Sequence, residues 1–511
     1  MGSMPSERRF DVDTVCIIGA GPSGLAAAKY LTAERAFSRI TVFEQRGNVG
    51  GIWNYVPLAS ITAEDLVVPQ TNARRGGEDP VWKQRNASTA LSNREQKGKE
   101  FLTPIYDRLE SNLPRGLMGF SELDWPEDCQ LLPEHEEVLK YLERYARDVW
   151  HLIQFNTQVL DVRFVEGEEW TVKVQEVSQD RMGGVQTHHF DAVVVANGHF
   201  NVPYIPDVLG MGAWARAFPG TITHSKYYRK PEHYAGKKVV VVGNSASGID
   251  IGNQIRAVCR SPLLMSQKTE SFLTPDPSPD LVEKPPISEY MASSRSVRFE
   301  DGSIEADVDA FVYCTGYFYS YPFLDTLEPP LITTGERVEN LYQHIFYRPR
   351  PTLAFPVLNQ KVIPFPVAEV QSAVIARVFA GRLPIPSEEE MEEWERETVK
   401  QKGSGRGFHV LKFPEDAEYI NMLHDWAISA DSPPVKRQGT DALCKRADGD
   451  CGKEPPRWGE REFWMRERFP AIKKAFQSLG EERHSKKSLE DIGYDFDAWK
   501  RAKAEEGKRL W

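Results

Sequence analysis

The chain lacks any run of about 18 consecutive apolar residues, the length that a membrane-crossing helix requires, so no spanning segment is expected. Cysteine is scarce and badly spaced for metal or redox work. Cys16, Cys129, Cys259, Cys314, Cys444 and Cys451 form neither a CxxC pair nor a zinc-ligand pattern. That excludes a zinc module and a dithiol redox centre, and it fits a reducing, cytoplasmic setting. Positive charge is not in excess: 63 Lys and Arg stand against 74 Asp and Glu, a net charge of −11, which argues against a nucleic-acid surface. No signature of a nucleophile–base–acid triad is present. His188-His189 has the look of a metal pair, but neighbours on a strand point to opposite faces, so no metal site is expected there.

What the chain does have is two glycine-rich turns, each directly after a strand-like run. The first, Gly19-Ala20-Gly21-Pro22-Ser23-Gly24, follows Val15-Cys16-Ile17-Ile18 and opens into the helical pattern Leu25-Ala26-Ala27-Ala28. Strand, glycine turn and helix are the context in which such a turn cradles a dinucleotide. Gly19 allows the tight turn, Gly21 the approach of a pyrophosphate, and Gly24 the close packing of helix on strand. The helix N-terminus offers unpaired N–H groups to the phosphates. A second strand-like run, Ile40-Thr41-Val42-Phe43, ends in Glu44-Gln45, and Glu44 lies twenty residues after Gly24. An acid there hydrogen-bonds a ribose 2′-OH and repels a 2′-phosphate, so this turn suits FAD or NAD.

The second turn, Gly243-Asn244-Ser245-Ala246-Ser247-Gly248, follows Val239-Val240-Val241-Val242. Ser245 stands where the middle glycine is usual. The next strand-like run ends in Ser266-Gln267-Lys268, with no acid, and Lys268 lies twenty residues after Gly248. A hydroxyl and an ammonium at this strand end favour a 2′-phosphate and hence NADPH. Arg229 and Lys230 are rival phosphate contacts. Two nucleotides meeting in one chain of 511 residues point to flavin-dependent redox chemistry. The expected fold class is α/β, with two Rossmann-like dinucleotide-binding domains.

Several further segments carry a family resemblance. Phe218-Pro219-Gly220, followed by His224 and Tyr228, fits FxGxxxHxxx(Y/F) just before the second turn. Gly50-Gly51-Ile52-Trp53, the segment Pro104 to Arg115 around Asn112-Leu113-Pro114, Cys314-Thr315-Gly316-Tyr317 and Pro364 to Gln371 follow in order. Together these resemble the class B flavin-dependent monooxygenases, best their flavin-containing, N- and S-oxygenating branch and its fungal members. The resemblance implies FAD and NADPH as cofactors and transfer of one oxygen from a flavin C4a-hydroperoxide to a nucleophilic N or S, or an activated C, of a small molecule. A Baeyer–Villiger monooxygenase acting on a ketone is the alternative. The fingerprint lacks the Trp-Pro ending of that branch. A pyridine nucleotide–disulfide reductase would require a cysteine pair that is absent.

By the same resemblance Gly51, Trp53, Thr315 and Gly316 border the cofactors, and Asn112 hydrogen-bonds the activated oxygen at the flavin's reactive face. Tyr204 and Ser245 lie near NADP⁺, Gln371 addresses flavin or nicotinamide from a helix start, and His224 is structural. The NADPH domain is expected as an insertion in a discontinuous FAD domain: residues 11–203 and 311–420 for FAD, 204–310 for NADPH. The proline-bearing stretch 197–206 and the return at Thr315-Gly316 should lie side by side. Residues 421–511 read as a mostly helical extension on the FAD domain, with Ile472, Phe476 and Leu479 spaced helically after Pro470. A substrate lid or a homodimer surface is its other use. Residues 60–100 read as a polar loop, with Trp82 as an anchor. Met1-Gly2-Ser3-Met4 matches a myristoylation pattern but reads more simply as a cloning scar, and Asn86-Ala87-Ser88 is a sequon that matters only in a secreted chain.

Overall fold

The structure is a computed structural model that describes residues 8–57, 66–74, 81–82, 99–165, 169–177, 182–269, 278–431 and 452–509. The myristoylation pattern, the sequon, Cys444, Cys451 and most of the 60–100 loop, including the Trp82 side chain, lie outside the described residues.

Two larger sheets organise the chain, the first parallel at its centre with an antiparallel edge and the second wholly parallel. In the first, β1 (Thr14–Ile18) leads through the glycine turn into α1 (Pro22–Glu34) and on to β2 (Arg39–Phe43). Thr14 to Ile18 pair in parallel with Arg39 to Phe43 on one side, and Val15 to Ile18 with Ala192 to Val195 on the other. These strands are near-continuous apolar runs because both faces of a parallel sheet are covered. The second sheet repeats the unit: β3 (Val239–Val242), α2 (Ala246–Arg256) and β4 (Leu263–Ser266). Its strand order is Ile222–His224, Ala310–Tyr313, β3, β4, Leu281–Lys284, all parallel.

The chain leaves the first sheet after Ala192–Val195, builds the second, and returns after Ala310–Tyr313. The two crossings pair antiparallel, Val202 with Phe318 and Pro203 with Tyr317. The Tyr204 N–H donates to the Gly316 carbonyl at 2.9 Å. After the return, Leu353–Ala354 joins the first sheet beside Ala192–Val195, so both parts of the interrupted unit share one sheet. This is the α/β class with an inserted second unit that the strand pattern suggested.

Helix α3 (Pro364–Phe379) packs on α1, whose Ala26, Ala27 and Ala28 let the two axes close up. Around them gathers the largest core, to which α4 (Glu415–Ile428) and α5 (Glu460–Ser478) contribute Ile420, Leu423, Trp464, Ile472 and Phe476. One local expectation is corrected here: α5 does not begin after Pro470 but runs through it. The helix starts eleven residues earlier, at a cap where the Glu462 carboxylate accepts from the Gly459 N–H at 2.8 Å. Burial on both sides of Pro470, at Trp464 and Phe476, outweighs the one backbone bond that proline forfeits.

Candidate nucleotide and oxygen site

The two glycine turns superpose in their hydrogen bonds. Gly19 donates to Phe43 O at 2.8 Å and Leu25 to Gly21 O at 3.0 Å; Gly243 donates to Ser266 O at 2.8 Å and Ile249 to Ser245 O at 3.0 Å. Gly19 and Gly243 hold φ near +100° (100° and 103°), where a Cβ would stand 2.7 Å from the carbonyl oxygens of Ala196 and Cys314. A Cβ on Gly24 would lie 1.9 Å from Gly19 O, and one on Gly248 1.8 Å from Gly243 O. The outer glycines of each turn are therefore steric necessities. The middle position is not: Gly21 (φ −72°) and Ser245 (φ −81°) have ordinary backbone. Serine costs the second turn only some room.

Neither α1 nor α2 has a side-chain cap or an acid in its first turn. Their N-terminal N–H groups are left for an anion, which is what a pyrophosphate needs. On this ground the turns fit FAD and NADPH. Gly51 closes over the first turn, its Cα 3.5 Å from where a Gly21 side chain would begin, and the Gly50 N–H donates to Ala20 O at 2.9 Å. Trp53 follows on the same short helical turn. Pro22 and Ser23 form the first turn of α1; Ala246 and Ser247 form that of α2.

Glu44 is buried and its carboxylate accepts from the N–H groups of Ala20 (2.7 Å) and Arg46 (2.8 Å). The Arg46 guanidinium lies 3.9 Å from the same carboxylate. Gln45 lies next to it, partly exposed. In the second unit the register corrects the spacing argument. Ser266, not Gln267, matches Phe43, because each accepts from the first glycine of its turn. Gln267 therefore takes the place of Glu44, and Lys268 that of Gln45. The second loop is one residue shorter, which a count from the last glycine concealed.

Gln267 is neutral, and its Oε1 accepts from Asn244 Nδ2 at 2.7 Å. Lys268 is exposed beside it. Ser266 is corrected as a phosphate contact: it is buried, and its hydroxyl donates to Pro285 O at 3.0 Å. Arg229 is corrected too. It is buried, with Nε on Val56 O (2.7 Å), Nη1 on Lys226 O (2.9 Å) and Tyr228 O (2.7 Å), and Nη2 on Thr103 O (2.9 Å). Its donors fasten loops and do not face a nucleotide. Lys230 is exposed.

Asn112 lies on the segment between the two units. Thr103 donates from Oγ1 to Asn54 O at 2.7 Å, on the first unit's side. Tyr106 donates to Asp250 of α2 at 2.5 Å, on the second unit's side. The Oδ1 of Asn112 accepts from Lys473 Nζ of α5, and its Nδ2 has no partner among the described residues. Tyr204, at the crossing, carries the Arg406 guanidinium 4.1 Å over its ring, and Thr315 donates to its carbonyl. Gly316 is in the left-handed region with open space around it. His224 is buried; its Nδ1 accepts from the Lys226 N–H at 3.1 Å, and burial pulls its pKa down to about 3, so it is neutral and structural.

Gln371 is corrected as a cofactor contact. It sits in the second turn of α3, fully buried, accepting from the Val357 N–H at 2.6 Å and donating to Asn359 (2.9 Å) and Tyr419 (3.0 Å). Lys473 belongs to no sequence motif. Its signal is helical spacing: on α5 it shares a face with Phe469 and Phe476, four residues before and three after, and an amphipathic helix does not bury a lysine without a partner.

The comparisons agree with this geometry. Residues 77–275 and 281–435 match the family described as flavin-binding monooxygenase-like, and residues 17–65 match an NAD(P)-binding Rossmann-like domain. The chain is similar to flavin-containing monooxygenase FMO GS-OX3 of Arabidopsis thaliana, 33% identical over 405 residues that cover 76% of this chain and 78% of that one. It is 30% identical over 492 residues to flavin-containing monooxygenase iboF of Amanita muscaria, covering 84% and 90%. Among solved structures, the S-allyl-L-cysteine S-oxygenase of Allium sativum aligns with a TM-score of 0.70 at 27% identity, over 98% of this chain and 100% of that one. A cyclohexanone monooxygenase, at 14% identity and a TM-score of 0.53, shares the fold alone. The chain belongs to the flavin-binding monooxygenase-like family and is an FAD- and NADPH-dependent monooxygenase of the flavin-containing branch.

Proposed function

We propose that the enzyme places one oxygen atom on a nucleophilic sulfur or nitrogen of a small molecule, and that Asn112 is the residue at the reacting centre. FAD held at the first turn would supply, with NADPH and O2, an electrophilic oxygen. The chain's own task is to hold both nucleotides, exclude water and donate a hydrogen bond where the oxygen is carried. The observation that carries this reading is the Asn112 amide, whose oxygen is held by Lys473 and whose nitrogen is left to donate.

The first turn with Glu44 holds FAD through Gly19, Gly21, Gly24 and the shelf Gly51–Trp53. The second, with neutral Gln267 and cationic Lys268, holds NADPH. Tyr204, Thr315 and Gly316 line the crossing between them. The paired crossings favour an inserted unit that starts near 203 and ends after 313, not at 310, because Ala310–Tyr313 pairs within the second sheet; the expected boundary at 420 falls inside α4. The four described cysteines are free thiols, which suits a cytoplasmic enzyme. No helix among the described residues is long and apolar enough to cross a membrane.

A sulfur or nitrogen acceptor is favoured over a ketone because relatives at 30% identity or more, such as iboF and GS-OX3, are flavin-containing monooxygenases. The test is product per NADPH with a thioether, a tertiary amine and a cyclic ketone, run on the native chain and Asn112→Ala. The native chain should oxygenate the thioether or the amine. Asn112→Ala should keep its FAD and divert NADPH to hydrogen peroxide, with product falling on the order of 10²-fold. Ketone turnover alone, or full coupling in Asn112→Ala, would refute the reading.

A further inference from the structure

We propose that Lys473, from the C-terminal helix α5, is a positioning residue for oxygen transfer: it fixes the Asn112 amide so that Nδ2–H faces the reacting centre. This rests on the reading of Asn112 above. An ammonium has donors and no acceptor, so the amide can meet it only through Oδ1. The hydrogen bond from Nζ to Oδ1 removes the ambiguity that an asparagine side chain otherwise has, and turns the nitrogen to the opposite side. Because the donor is charged, it also polarises the amide and makes Nδ2–H a stronger donor.

The burial of Lys473 argues against an incidental contact. It is 5% exposed, on a helix whose other buried positions are Trp464, Met465, Arg466, Ile472 and Phe476. A lysine in such a place loses its hydration and needs compensation. Asn112 provides it directly, and the carboxylates of Glu110 and Asp250 provide it through space, against the downward pull of burial on its pKa. Glu110 belongs to the same loop as Asn112 and Asp250 to α2. Lys473 thus stands where the first unit's loop, the second unit's helix and the tail meet. The tail is part of the active centre and not only a lid on the core.

The experiment compares the native enzyme with Lys473→Met, Lys473→Arg, Asn112→Ala and the Asn112→Ala/Lys473→Met pair. NADPH-driven hydrogen peroxide release without added substrate is measured per bound FAD, so that lost folding or lost flavin does not count. Lys473→Met should raise the release by about five- to tenfold, the scale of one charge-assisted hydrogen bond acting indirectly. Lys473→Arg should recover part of the native coupling, and the double variant should match Asn112→Ala. Should Lys473→Met fold too poorly to assay, Lys473→Gln takes its place, with the same increase expected. Native release in Lys473→Met or Lys473→Gln, beside raised release in Asn112→Ala, overturns this inference and leaves Asn112 standing. Effects that add in the double variant overturn it as well. Native release in Asn112→Ala removes the reading beneath both.

Discussion

At Glu44 two backbone N–H groups orient a carboxylate toward the mouth of the first turn. At the equivalent place in the second turn stands Gln267, held by Asn244 and followed by Lys268. The exchange of acid for amide removes the repulsion that a 2′-phosphate would meet, and the lysine adds an attraction. Lys268→Ala should therefore raise KM for NADPH about tenfold while leaving KM for NADH unchanged, as expected for loss of one charged contact to phosphate. Steady-state kinetics with both nucleotides decide it; equal changes for the two would assign the phosphate to another residue.

Among the elements, α5 is locked down by charge as well as by apolar contact. Arg466 Nε donates to Asp416 Oδ2 of α4 at 2.6 Å, and its Nη2 to Lys361 O at 2.8 Å; Asp416 is wholly buried. Removing the arginine strands that carboxylate, so Arg466→Met should cost about 3–5 kcal/mol in denaturant unfolding. Asp416→Asn, which leaves a hydrogen-bonding partner, should cost less.

On α3, Glu369 is buried and accepts from the Ser121 N–H (2.8 Å) and hydroxyl (2.7 Å). Burial nonetheless pushes its pKa up to about 7 from an ordinary 4.5. The folded state then holds a proton that the unfolded state has released between those two values. Stability falls as pH rises through that window and levels off above it. Glu369→Gln should remove this dependence and gain on the native chain by up to about 3 kcal/mol between pH 5 and pH 8. Parallel stability curves for the two proteins would show that Glu369 titrates normally.

Across the whole molecule, the two units are joined by more than the paired crossings. Arg229 collects carbonyls from both sides, Val56 and Thr103 from the first unit and Lys226 and Tyr228 from the second. Arg229→Met would leave four acceptors without their donor in a buried place. It should lower unfolding stability by at least about 3 kcal/mol, given the cost of unpaired buried polar groups. A loss below about 1 kcal/mol would mean that water replaces the guanidinium.

Some of this architecture is local chemistry, written into the order of neighbouring residues. The outer glycines Gly19, Gly24, Gly243 and Gly248 sit where any Cβ would strike backbone a few residues away, so strand, turn and helix are readable as a string. The same holds for the paired crossings, which follow from a strand that must rejoin its own sheet. Other features depend on partners far along the chain and arise only when it folds. Gln371 and Arg229 have the composition of ligand-binding residues, yet distant carbonyls, an amide and a phenol occupy their polar atoms. Gln267 acquired the place of Glu44 through strand register, which one missing loop residue hid from counting. Lys473 came to Asn112 across 361 residues of chain, because helix periodicity says which face is buried but not what lies against it.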